Sequence, residues 1–294
     1  DCGVFKVHDR FILVTTDMIS KHTHIPQEMT SWDIGWFVVA VNLSDIAAKG
    51  GTPQGIVISY GLPKDYPVSD FTQIVQGAKH CAETFDTPYL GGDTKENKTL
   101  TLAGTAIGSV SPEEFMSRHG AQENDVVAVT GTLGKAAAGY YSLQTEDIAQ
   151  RIRRGLIHPI PRINAGKKLA SSKQVHCCMD LSDGLSSSLY QLGKCNQLGF
   201  EITREDIPVS PLLMELKKKD FDISPDDALL HFGGDYELLF TTSALDFPGI
   251  KKQIASLNVD VTMIGVVTKN NDIILKTKKN RFILPNEGYQ HFSR

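Results

Sequence analysis

The chain has 294 residues, enough for two ordinary domains. Its net charge of −4 excludes a broad basic face for nucleic acid, and its longest apolar run, "WFVVAV" at 36–41, is far short of the roughly 20 residues a membrane span needs. Five cysteines, without a CxxC pair or a signal-peptide pattern ahead of them, read as reduced thiols in a cytoplasmic protein.

"GVFKV" (3–7) and "RFILVTT" (10–16) flank "HD" and predict a β-hairpin. The chain opens at Asp1 with this strand about to start, so further residues are expected before it. A helix is predicted from Ser31, as N-cap, to a stop at Gly50-Gly51. "GIVISYGL" (55–62) reads as a strand, "SDFTQIVQGAKHCAETF" (69–85) as a helix and "TLTLAGTAIGSV" (99–110) as an alternating strand. That order argues for a mixed sheet with helices on one side. The polar stretch 111–124 marks a boundary, giving domains 1–112 and 113–294. The second half begins with the strand "DVVAVTG" (125–131) and a small-residue segment, then a helix near 161–171. The strand "VHCCMD" (175–180), a helix over 183–199, the strand "YELLFTTS" (236–243), a helix near 246–256 and the strand "TMIGVVT" (262–268) follow, again mixed α/β. The run Lys217–Lys219 reads as a solvated helix end. "LSD" at 43–45 precedes "GGD" at 91–93, and "LSD" at 181–183 precedes "GGD" at 233–235, a faint echo and weak evidence of a repeat.

In the first helix Ile34, Val38, Val41, Asp45 and Ala48 share one face, apolar except for Asp45. A carboxylate on a buried stripe is costly unless paired or metal-bound. Other acids stand at element ends: Asp17 after an apolar strand, Asp93 in the loop "YLGGDT", Asp180 at a strand end, Asp183 as the N-cap of the next helix and Asp235 after a second Gly-Gly. Taken singly, each reads as a cap or turn residue. Together, beside Thr15, Thr16, Ser44, Thr94 and Ser182, they form an oxygen-rich set that suits Mg²⁺ bridging to phosphates. Zinc suits it less, because His22 and His24 lack a third His or Cys at a recognisable spacing. "VTGTLGKAAAG" (129–139) follows a strand and opens a helix, and its small residues would admit a phosphate to the helix N-terminus, although the P-loop order is absent.

The ordered series "TTD" (15–17), "NLSDIAAKGG" (42–51), "GGDT" (91–94), "RHGA" (118–121), "VTGTLGKAAAG", "DLSDGL" (180–185), "GGDYELLF" (233–240) and "GYQHF" (288–292) resembles the thiamine-monophosphate kinase family. That family belongs to the superfamily of aminoimidazole ribonucleotide synthetase, selenophosphate synthetase and HypE. The resemblance implies two α/β domains, with the N-terminal sheets of two subunits forming a barrel across a dimer, and ATP and several Mg²⁺ among acidic loops. It implies metal positions at Asp1, Thr15, Thr16, Asp17, Asp45, Asp93, Asp180 and Asp183, of which Asp45, Asp93 and Asp183 are the catalytic carboxylates. Nucleotide contacts fall on Gly92, Asp93, Arg118 and Ser182, and substrate contacts on His24 and Tyr289. The family's Gly-Gly-Glu-Asp-Tyr-Glu is one residue shorter here, so Asp235 either replaces a substrate-contacting Glu or that contact is missing. "HTHIP" (22–26) also departs from the usual His-Phe.

The implied reaction is in-line transfer of the ATP γ-phosphoryl group to thiamine monophosphate, with "NLSDIAAKGG" and "DLSDGL" supplying oxygen ligands to one Mg–phosphate cluster. Alternatives are a sibling enzyme that phosphorylates a carbonyl or amide oxygen, and a non-catalytic dimeric nucleotide-binding protein.

Overall fold

The computed structural model describes residues 1–143, 150–218 and 223–289, which form two compact units. The first comprises residues 1–115 and the returning segment 157–163. Its elements are β1 (Gly3–Val7), β2 (Arg10–Ser20), α1 (Ser31–Ala48), β3 (Thr52–Leu62), α2 (Val68–Thr84), β4 (Tyr89–Glu96) and β5 (Thr101–Val110). The strands make one sheet in the order β1-β2-β5-β3-β4, with the expected hairpin antiparallel and β4 parallel to β3.

Helix α1 is buried nearly all round, from Ile34 through Ser44, because the sheet covers one side and α2 the other. The single-face pattern expected of the helix therefore understates how much of α1 is buried, while Asp45 itself is only half-buried. Two glycines let the helices touch: a Cβ on Gly35 would lie 1.9 Å from the Ile74 carbonyl oxygen, and one on Gly77 1.9 Å from that of Trp32. The N-cap is Thr30, not Ser31. Its hydroxyl accepts from the Asp33 N–H, and the Asp33 carboxylate accepts from the Thr30 N–H, closing a capping box. The segment 157–163 lies on α1 through Trp36, whose Nε1 donates to the Pro159 carbonyl at 2.8 Å while the His158 ring sits 4.0 Å from its own.

Two expectations for this unit are corrected. "TTD" does not end a strand, since β2 runs on to Ser20 and pairs with β5 throughout. "YLGGDT" is not a loop but part of β4. Gly91, at φ 102°, accompanies a bulge in β4, and a Cβ on Gly92 would lie 1.7 Å from the Ile58 carbonyl oxygen. The glycine pair thus brings strand to strand.

The second unit comprises residues 116–156 and 164–294, so far as described. Its elements are β6 (Val126–Thr130), α3 (Lys135–Ser142), α4 (Gln150–Ile157, whose last residue counts with the first unit), α5 (Ile163–Ser172), β7 (Val175–Asp180), α6 (Leu185–Asn196), β8 (Gly199–Thr203), α7 (Pro211–Lys217), β9 (Leu238–Thr242), α8 (Phe247–Ala255), β10 (Val261–Thr268), β11 (Ile273–Lys276) and β12 (Arg281–Ile283). The sheet order is β12-β11-β8-β10-β6-β9-β7. Val127, Val129, Met179, Phe200, Leu239 and Ile264 lead its core. Sequence patterning misses α4, β8, β11 and β12, which are short and lack the long periodic runs that mark an element, and it anticipates α7 only through the helix end at its lysines. Lys217 and Lys218 are an exposed helix end as expected, and Lys219 lies outside the described residues. No described helix is long and apolar enough to cross a membrane.

Candidate active site

In the first unit, α1 and β2 bring the expected oxygen donors face to face. Alternation along β2 turns Leu13, Thr15, Asp17 and Ile19 toward α1 and leaves Thr16 and Met18 on the open face. The Thr15 hydroxyl donates to the Asp45 carboxylate, so the polar break in α1 meets the polar break in β2. One turn earlier, Asn42 is fully buried. Its Oδ1 accepts from the Asp17 N–H at 3.1 Å and its Nδ2 donates to the Val38 carbonyl at 2.8 Å. Gly104 makes room, since a Cβ there would lie 2.4 Å from Asn42 Nδ2.

Asp1 and Lys49 complete this side with an ion pair whose side chains are only 1% and 4% exposed. A buried carboxylate needs a compensating cation, and here an ammonium supplies it. The donors Asp1, Thr15, Asp17 and Asp45 are hard oxygens near buried negative charge, a set that fits Mg²⁺. Sequence reasoning missed Asn42 and Lys49 as site residues. Their signal was a polar side chain three residues before Asp45 and another four after it, on an otherwise apolar helix.

The remaining candidates of this unit stand apart in kind. Thr16 donates to the Gly104 carbonyl at 2.8 Å on the sheet's open side. Asp93 is exposed on β4, 3.8 Å from the Lys95 ammonium, and its Oδ1 accepts from the Thr94 N–H. His24 lies in the turn after β2, its Nδ1 2.6 Å from the Thr23 hydroxyl.

In the second unit the expected site residues gather at a corner between β7 and α6. Asp180 ends β7 and is buried, while Ser182 and Asp183 occupy the turn. Asp183 is not the helix N-cap. Gly184 takes that place at φ 93°, where a Cβ would meet the His231 carbonyl at 2.7 Å. The two late motifs lie side by side: the Gly234 N–H donates to the Ser182 carbonyl at 2.8 Å, and the Tyr236 N–H to that of Leu181 at 3.0 Å. Tyr289 comes to the same corner, its N–H donating to the Asp183 carbonyl at 3.2 Å with its ring half exposed. The rest of "GYQHF" lies outside the described residues. Arg118 is half-buried and donates from Nη1 to Gln191 Oε1 at 3.0 Å.

Asp235 turns the other way. It is buried, and its carboxylate accepts from the Gly134 N–H at 2.6 Å and the Ala136 N–H at 3.0 Å, capping α3. Burial pushes its carboxyl above the ordinary aspartate value, although Lys135 pulls it back. Two expectations change. The N-terminus of α3 does not await a phosphate, because a side-chain carboxylate already fills that place. The substrate contact expected of Asp235 must compete with this capping role, which takes both of its carboxylate oxygens. Beneath it, Glu237 is fully buried between the Lys135 ammonium and the Thr130 hydroxyl, which donates to it at 2.7 Å. No signal at sequence level marked Glu237, since "YELLF" reads as plain strand.

Comparison with known proteins adds the family. Residues 1–110 match the N-terminal domain, and residues 122–278 the C-terminal domain, of AIR synthase related protein. The thiamine-monophosphate kinase of Methanospirillum hungatei is 35% identical over 99% of this chain and 92% of its own. That of Pyrococcus horikoshii is 30% identical over 99% and 89%. A solved structure of AaThiL complexed with AMPPCP and TMP superposes at a TM-score of 0.87, with 27% identity, covering 99% of this chain and 90% of the other.

Proposed function

This chain belongs to the thiamine-monophosphate kinase family of AIR synthase related proteins, and from that premise we propose how its residues serve the reaction. It is a thiamine-phosphate kinase, which transfers the γ-phosphoryl group of ATP to thiamine monophosphate and yields thiamine diphosphate and ADP. The proposed metal ligands are Asp1, Thr15, Asp17 and Asp45 in the first unit and Asp180 and Asp183 in the second. Asp93 and Thr16 are further metal contacts, Gly92, Arg118 and Ser182 contact the nucleotide, and His24 and Tyr289 contact thiamine monophosphate. The observation that carries the assignment is the meeting of Asp45 with Thr15, a polar pair between an otherwise apolar helix and strand.

The acceptor is itself a phosphate, with a second pKa of about 6, so it is largely ionised at neutral pH and needs no general base. The obstacle is bringing two anions together, so catalysis is positioning plus electrostatics. When bound, Mg²⁺ would neutralise phosphate charge and stabilise the transferring group. The chain's part is to hold its carboxylates on rigid elements. Asp45 is fixed by the buried α1 and by the Thr15 hydroxyl, Asp17 by its strand and Asn42, and Asp183 by the corner that Gly233 and Gly234 let the chain close. Arg118 offers a fixed positive charge to phosphate oxygens.

The outer face of the first sheet exposes Met18, Val57 and Ile107, and β1 exposes Val4, Phe5 and Val7. An uncovered apolar sheet face supports a second copy as its cover, giving the homodimer with a shared barrel. The decisive experiment is incubation with Mg-ATP and thiamine monophosphate. Thiamine diphosphate and ADP are expected in equal amounts, and absence of the diphosphate overturns the function.

A further inference from the structure

The segment from Ser117 to Ala121 runs along the outer edge of β7, joined to it by a bond from the Cys178 N–H to the Ser117 carbonyl at 2.8 Å. Gly120 takes φ 114°, a conformation that side-chain-bearing residues avoid. A loop shaped this way must find partners for its peptide groups. Asn196, the last residue of α6, provides them. Its Oδ1 accepts from the Gly120 N–H at 2.8 Å and the Ala121 N–H at 3.1 Å. Its Nδ2 donates to the Arg118 carbonyl at 2.9 Å and back to the Leu192 carbonyl at 2.8 Å. Both lone pairs and both hydrogens of one amide are used.

Gln191, on the same helix, fixes the other end of Arg118 by accepting from its guanidinium. A neutral amide orients a guanidinium without cancelling its charge, whereas a carboxylate in that position would compete with phosphate for it. The helix that follows the Ser182–Asp183 corner therefore contacts both the backbone and the side chain of Arg118. Gln191 is six residues past the first residue of α6, a rise of about 9 Å from the corner end of the helix.

We propose that Asn196 and Gln191 are positioning residues for nucleotide binding, acting through Arg118. This rests on the kinase reading above, in which Arg118 contacts ATP. The test measures steady-state kinetics with Mg-ATP and thiamine monophosphate for the wild type, Asn196→Ala, Gln191→Ala and Gln191→Glu, together with calorimetric binding of Mg-AMPPCP and melting temperature. Each variant is expected to raise KM for ATP about tenfold or more, as displaced positioning groups do, with KM for thiamine monophosphate unchanged. Gln191→Glu is the discriminating variant. A purely structural contact would tolerate or strengthen with a carboxylate there, but a phosphate-binding guanidinium would lose ATP affinity while the melting temperature holds.

Wild-type nucleotide affinity in Gln191→Glu, or equal rises in both KM values for Asn196→Ala, overturns the proposal. Should the wild type bind Mg-AMPPCP without making thiamine diphosphate, the kinase reading fails, and the binding comparison still decides the role of Gln191 and Asn196. A wild type that binds no nucleotide overturns both.

Discussion

Asp235→Ala separates two roles for one carboxylate. The side chain is buried and takes two backbone N–H bonds at the start of α3, from Gly134 and Ala136. Removing it orphans two donors, each costing about 1–3 kcal/mol when water does not reach it. Loss of a buried charge offsets part of that cost, because burial already disfavours the ionised form. The net expectation is about 1–3 kcal/mol, in line with the loss of a strong N-cap. For a unit of this size that lowers the melting temperature by about 2–12 °C. Thermal unfolding followed by circular dichroism measures it, and KM for thiamine monophosphate should stay near the wild-type value. Asp235→Asn retains an acceptor and should recover part of the loss. The pH dependence has a fixed sign. The folded state holds the Asp235 proton more tightly than the unfolded chain, so this group's contribution to stability falls as pH rises from the ordinary 3.8 through the raised folded value. Asp235→Asn should therefore gain on the wild type as pH rises across that window. A variant that melts with the wild type but needs far more thiamine monophosphate refutes the capping role and returns Asp235 to the substrate site.

Other perturbations test the first unit. Lys49→Met leaves the Asp1 carboxylate buried without its ammonium, at a cost of about 3–5 kcal/mol in metal-free protein. Added Mg²⁺ should recover part of the melting temperature, and equal losses with and without Mg²⁺ would remove Asp1 from the ligand set. Asp45→Asn should cut turnover in limiting Mg²⁺ by more than the roughly 10–100-fold typical of changes one step further from a metal; near wild-type rates would end the metal assignment. Gly35→Ala puts a methyl group 1.9 Å from the Ile74 carbonyl oxygen, so α1 and α2 must part. A loss of about 1–3 kcal/mol or more is expected from the denaturant midpoint, and an unchanged midpoint would show that the helices part freely.

Much of the architecture was legible in the chain because periodic apolar runs are local signals. The hairpin, α1, α2, β5, β7, α6 and β10 follow directly from spacing. What failed was polar or glycine-rich sequence within elements. Gly91 and Gly92 read as a loop, yet they serve a bulged strand whose partner lies over thirty residues earlier. Asp17 read as following the apolar run that ends in "TTD", yet pairing with β5 carries β2 onward to Ser20.

By itself, the sequence determined the family, the two mixed α/β halves and the inventory of acids and hydroxyls. Ordered motifs and residue types need no coordinates. Tertiary structure decided which partners those acids meet. Asp45 and Asp235 look alike as letters, each beside small residues. One meets the hydroxyl of Thr15 across a helix–sheet contact, and the other is committed to the N-terminus of α3, about a hundred residues back in the chain. The difference is one of partners, and partners distant in sequence are fixed only when the chain packs, because a buried carboxylate must take whatever donors its neighbours bring.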